Sequence, residues 1–124
     1  MKTLTKKQVM LLHTKLTQKT GGCDALRDDA LLDSALQSAY ATFGGQDLFA
    51  TVAQKAARLG YGLVCNHPFA DGNKRIGVLV LLTFLQINGK KPKATNDEII
   101  SLGLGIADGS LTYEDVLAWT EKRI

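Results

Sequence analysis

The sequence predicts an all-α fold, a compact bundle of about six helices around one buried central helix. Three observations carry this prediction. Helix-start signatures recur along the chain: Thr5, Thr51, Thr95 and Thr112 are each followed three residues later by Gln8, Gln54, Glu98 and Asp115 respectively. In such a capping box the hydroxyl accepts from an early helix amide while the later side chain reaches back to the cap. The stretch from Ile76 to Ile87 is apolar around nearly its whole circumference, as a helix enclosed by others must be. No alternating strand pair flanks a hairpin turn, and no repeat of roughly 20 to 50 residues recurs. A chain of 124 residues is expected to close a single domain over residues 1–124.

Helix 1 opens after Thr5, carries Val9, Leu12 and Leu16 on one stripe and stops at Gly21-Gly22, where glycine admits left-handed angles. Its other face is basic, and His13 is expected to point to solvent. Asp28 and Asp29 put carboxylates at the start of helix 2, whose stripe of Leu32, Ala35, Leu36, Ala39 and Phe43 runs to Gly44-Gly45. Helix 3 follows Thr51 and reaches the region of Cys65, with Val52, Ala56, Leu59 and Leu63 inward. Ala53, Ala57, Gly60 and Gly62 flank that stripe and would let another helix come close, which offsets the roughly 1 kcal/mol each helical glycine costs. The β-branched residues between Ile76 and Ile87 also suit a buried strand, but the length before Asn88-Gly89 favours helix 4. Lys90-Lys91-Pro92-Lys93 connects to a fifth helix bearing Ile99, Ile100, Leu102, Leu104 and Ile106. Asp108-Gly109 turns the chain into a last helix that docks Val116, Leu117 and Trp119.

Composition narrows the function classes. With 45% hydrophobic and 22% charged residues the chain can bury a core, and a net charge of +3, with lysines scattered or paired and no block of like charge, is a weak argument for nucleic acid. Cys23 and Cys65 have neither CxxC spacing nor paired histidines, so reduced thiols are expected rather than a zinc site or a disulfide framework. Tyr61, Trp119 and both cysteines are read as packing residues. The first residues carry charge without a signal-like apolar stretch, and the run from Ile76 to Leu85 is short of the roughly 18 residues of a membrane span. A cytoplasmic protein is expected.

The chemistry gathers in His67-Pro68-Phe69-Ala70-Asp71-Gly72-Asn73-Lys74-Arg75, between two apolar helices. A helix start presents unpaired amides and the positive end of the dipole, so Gly72, Asn73, Lys74 and Arg75 opening helix 4 make an anion site. Arg75 can fork two hydrogen bonds to phosphate oxygens, whereas Lys74 is a mobile point charge. Asp71, the loop's one carboxylate, is the candidate ligand for magnesium, and the His67 imidazole can accept a proton from an attacking hydroxyl. Phe69 anchors the loop in the core. Singly, each residue has a bland alternative: a turn at Asp71-Gly72, a cap at Asn73, solvated charges at Lys74 and Arg75, a structural histidine at His67. Together, two cations at a helix start that disfavours them need an anion.

These residues resemble the signature of the Fic/Doc family, HPFxx(G/N)N(G/K)R. The ending Asn73-Lys74-Arg75 is similar to its Doc branch, HxFx(D/N)xNKR, the death-on-curing toxins of bacterial type II toxin–antitoxin systems. Gly21-Gly22 and Phe43-Gly44-Gly45 resemble that branch too, and the resemblance is expected to extend along the whole chain. It implies a Fic-like fold in which ATP with Mg2+ binds at the motif and a phosphate-containing group moves to a protein hydroxyl. His67 would be the base, Asp71 the magnesium ligand, and Asn73 with its neighbouring amides the anion hole; Lys74 and Arg75 would hold phosphates. Relatives with glycine at the position of Lys74 transfer AMP, and a lysine there should crowd that pose and favour transfer of the terminal phosphate. The resemblance therefore implies an ATP-dependent protein kinase-like toxin, with elongation factor Tu as target and translation arrest as the result. The alternatives are a protein adenylyltransferase with the same site, and a non-catalytic partner that contacts only its antitoxin and DNA. Ser110-Leu111-Thr112-Tyr113-Glu114-Asp115 approaches the inhibitory pattern (S/T)xxxE(G/N) but ends in aspartate, and is better taken as a helix cap and first turn. Restraint would then come from a separate antitoxin, whose peptide or helix docks in an exposed apolar groove, with any DNA contact made through it.

Overall fold

Each of the four threonine signatures starts a helix, and every capping box is complete, hydroxyl to amide and side chain to cap. The computed structural model describes all of residues 1–124. Its elements in chain order are α1 (Lys6–Thr20), α2 (Asp29–Ser38), β1 (Thr42–Phe43), β2 (Gln46–Asp47), α3 (Val52–Asn66), α4 (Asn73–Ile87), α5 (Asn96–Ala107) and α6 (Tyr113–Glu121). Asp28 caps α2 by accepting from the Leu31 amide, and Gly21, at φ 81°, ends α1. No helix is long and apolar enough to cross a membrane.

The stretch from Ile76 to Ile87 is helical, and Ile76, Val80, Leu81, Phe84 and Leu85 on it are fully buried, each such side chain contributing about 1.5–3 kcal/mol. It shares the centre with α3, which packs on α2, α4, α5 and α6, while α4 also takes α1 and α5. The small residues of α3 allow this. A Cβ on Gly77 of α4 would stand 2.9 Å from the Gly60 carbonyl and 2.5 Å from Val64 Cγ2, so the two backbones meet where neither helix has a side chain. Gly62 meets the Ala35 backbone of α2 in the same way, at 3.4 Å.

Four expectations need correction. Cys23 and Cys65, read as packing residues, are both exposed. His13 does not face solvent: the buried residues of α1 are Val9, His13 and Thr17, spaced by four, with Leu12 and Leu16 only half buried beside them. Helix 2 stops at Ser38, so Phe43 is not on its stripe and is 80% exposed. A strand pair does exist, a two-residue hairpin pairing Thr42 with Asp47 and Phe43 with Gln46 around Gly44-Gly45. Both glycines have positive φ, 60° and 81°, which is what a tight hairpin turn requires. Strands this short leave no alternation to detect. The buried Lys55 ammonium fixes the hairpin base by donating to Asp47 Oδ2 and to the Phe49 carbonyl.

Candidate active site

The loop from His67 to Gly72 runs from the end of α3 to the start of α4. His67 ends α3 in the left-handed region, φ 52° and ψ 52°, alone among the non-glycine residues, and its side chain lies on the surface. Pro68 and Phe69 turn inward and are buried. The Asn73 side chain closes the loop on itself: its Nδ2 donates to the Phe69 carbonyl at 2.9 Å and its Oδ1 accepts from the Phe69 amide at 3.0 Å. What Asn73 can offer an anion is therefore its backbone N–H. Gly72, at φ 78°, is the N-cap of α4 without any side-chain cap, and the first ladder bond runs from the Ile76 amide to the Gly72 carbonyl. The amides of Asn73, Lys74 and Arg75 thus point outward unpaired beside two exposed cations, the arrangement that binds anions.

A strap over residues 22–28 holds this loop from outside, a contact between distant segments that no local pattern announces. The Arg27 and Asp28 amides both donate to the Pro68 carbonyl, at 2.8 and 3.0 Å, and the Ala70 amide donates to Ala25 at 2.9 Å. Arg27 Nε and Nη2 donate to the His67 carbonyl at 2.9 and 2.6 Å, clamping the left-handed turn. The Cys23 amide donates to Asp71 Oδ2 at 2.9 Å. From the other side, His13 Nε2 lies 2.7 Å from the Asp71 carbonyl, and its ring stacks on Phe69 at 3.7 Å between centroids. The signal that could have placed His13 was its spacing, four residues from both Val9 and Thr17.

His67, Asp71, Gly72, Asn73, Lys74 and Arg75 all line one cleft of about 770 Å³, whose far wall is Ile106 to Gly109 at the end of α5. The site residues named from sequence are therefore brought together. Cys65 also lines the cleft, and it pushes the Tyr61 phenol up, chiefly through repulsion between their ionised forms. No group of three His, Cys, Asp or Glu side chains forms a closed metal cage. Asp71 fits magnesium nonetheless, because one of its oxygens is oriented by Cys23 and the other is free, and this ion takes one or two carboxylates with waters and substrate phosphates. Lys74 and Arg75 border a second concavity, an apolar groove of about 360 Å³ between α1, α4 and α5 whose lining includes Leu16, Leu79, Leu82 and Ile99. Ser110 to Asp115 forms a turn and the capping box of α6.

Comparison with known proteins agrees with this geometry. A curated relative named Toxin Doc, from Mycolicibacterium smegmatis (strain ATCC 700084 / mc(2)155), is 42% identical over 77 residues, 62% of this chain and 59% of the relative. The chain thus spans less than two thirds of that relative's length. The family model described as the Fic/DOC family matches residues 3–85, which takes in α1 to most of α4 and the whole motif, and leaves α5 and α6 outside the match. The chain belongs to the Fic/DOC family.

Proposed function

We propose that the chain is a toxin of a type II toxin–antitoxin system that transfers the terminal phosphate of ATP to a hydroxyl of a protein target. Elongation factor Tu is the expected target, and arrested translation the outcome. The observation that supports this reading best is Lys74. It stands second in α4, beside unpaired amides and Arg75, in the cleft that also holds His67. A glycine there would leave the helix start open to a chain of phosphates, whereas a lysine fills that space and adds a charge suited to the phosphate being moved. Gly103 of α5 lies beside it, where a Cβ would come into ordinary contact with Lys74 Cβ at 3.5 Å.

In this reading the target hydroxyl attacks the terminal phosphorus, the bond to the bridging oxygen breaks, and ADP leaves. His67 takes the hydroxyl proton, and the amides of Asn73, Lys74 and Arg75 carry the charge on the phosphoryl oxygens. Asp71 would hold magnesium, which when bound supplies positive charge beside those oxygens. The partner is an antitoxin whose amphipathic segment lies in the groove between α1, α4 and α5; Lys74 and Arg75 at its edge would let an acidic side chain of that segment compete with phosphate.

The test is mass spectrometry of elongation factor Tu after reaction with ATP and magnesium, paired with ATP labelled separately on the α and γ phosphates. A gain of one phosphate from the γ position is expected, and none with His67→Ala. Label from the α position would replace phosphotransfer with AMP transfer. Undiminished toxicity of His67→Ala in cells would remove the catalytic reading altogether.

A further inference from the structure

We infer that His13, on α1, is a positioning residue of the phosphate site, setting the peptide between Asp71 and Gly72. The inference rests on reading the start of α4 as a phosphate site. His13 is completely buried, yet its ring is committed to the loop rather than to its own helix: it stacks on Phe69 with an interplanar angle of 13°, and Nε2 reaches the Asp71 carbonyl at 2.7 Å. A carbonyl oxygen only accepts, so Nε2 carries the proton. Nδ1 is left buried without any partner. A residue kept only to fill the core would not be histidine, since a ring without nitrogens would stack on Phe69 and leave no polar atom orphaned. The donor at Nε2 is what the site retains.

That bond falls at a sensitive place. The Asp71 carbonyl belongs to the peptide leading into Gly72, the N-cap at φ 78°, and rotation of this peptide changes the direction of the first unpaired amides of α4. It also swings the Asp71 side chain, whose only other anchor is the Cys23 amide. The ring lies directly behind Gly72, where a Cβ would be in ordinary contact with His13 Nε2 at 3.5 Å. His13 thus holds the back of the loop whose front faces the cleft.

Two substitutions separate the ring from its donor. His13→Phe keeps the stack and removes the donor; His13→Gln restores an amide donor and gives up the ring. Amide and carbonyl NMR of Asp71 to Lys74, thermal unfolding, and titration with inorganic pyrophosphate alone are measured on all three proteins. His13→Phe should move the Asp71 carbonyl and Gly72 amide resonances and weaken pyrophosphate binding about tenfold at an unfolding temperature near wild type, while His13→Gln recovers most of that binding. Unmoved resonances in His13→Phe overturn the inference, as does binding that falls in both variants only in step with stability. Absence of pyrophosphate binding to the wild type would count against the phosphate-site reading, and the resonances would still decide the role of His13.

Discussion

His67 is held in a backbone conformation that costs an ordinary residue about 1–3 kcal/mol, and it precedes a proline, which disfavours helical angles at that position further. Arg27 is the external restraint, forking onto the His67 carbonyl from 40 positions away in sequence. Replacing it with methionine keeps the alkyl stem and frees the carbonyl. Transfer to the target should fall about 100-fold, because a shift of about 1 Å in a reacting group has that effect, while stability drops by only about 1–2 kcal/mol. Arg27→Lys should recover little, since an ammonium cannot supply two parallel donors. A rate for Arg27→Met within about twofold of wild type at saturating ATP would show that His67 holds its conformation unaided. At this scale the sequence disclosed the residues that face the cleft and hid those behind them. Cations at a helix start advertise a ligand whatever surrounds them, whereas the uses of Arg27, Cys23 and His13 depend on a strap and a helix far away in the chain. Asn73 was visible as part of the site, but the pairing of its amide with Phe69 needed the loop's shape.

Among the elements, helices with strong local signals were legible and their close approaches were half legible. The capping boxes needed only neighbours three residues apart, so their helix starts fell where the sequence put them. The small residues of α3 announced a close neighbour without saying which helix. The structure resolves this into two crossings, Gly60 with Gly77 on α4 and Gly62 with Ala35 on α2. They should respond differently to a methyl group. In Gly77→Ala the new Cβ would lie 2.5 Å from Val64 Cγ2 and 2.9 Å from the Gly60 carbonyl, where a backbone atom cannot yield. Even after the roughly 1 kcal/mol that alanine gains in a helix, a net loss of about 1–3 kcal/mol is expected. In Gly62→Ala the nearest atoms are 3.4 Å away, so the helix gain should nearly cancel the contact and leave stability within about 0.5 kcal/mol of wild type. Urea unfolding midpoints measure both, and a Gly77→Ala protein as stable as Gly62→Ala would mean that α3 and α4 can separate freely. The hairpin at Thr42 to Asp47 is not legible in the sequence for the opposite reason: strands of two residues carry no period, and a Gly44-Gly45 pair after an apolar stripe has the same signature as a helix stop.

For the molecule as a whole, the family match and the architecture divide the cleft between them. Residues 3–85 supply the motif wall, whereas Ile106 to Gly109 on the far side come from the end of α5 and the turn after it, beyond the match. The same helix borders the apolar groove with Ile99, Ile100, Gly103 and Leu104, and Lys74 and Arg75 stand where groove and cleft adjoin. Ile100 and Leu104 share this helix with Ile99, Leu102 and Ile106. The structure leaves these two 59% and 50% exposed. An occupant of the groove can thus reach Lys74 and Arg75 without entering the cleft. Ile100→Glu combined with Leu104→Glu should therefore separate restraint from activity. Both side chains are already largely in water, so stability should change by no more than about 0.5 kcal/mol, and elongation factor Tu should be modified at the wild-type rate. The antitoxin should lose about 100-fold or more in affinity, since two carboxylates would replace apolar contacts at a desolvated surface. Calorimetric titration with the antitoxin, alongside growth of cells expressing both proteins, reads the two effects separately. Full neutralisation of the double variant would move the antitoxin to another face, whereas loss of transfer together with neutralisation would show that α5 must also hold the cleft wall in place.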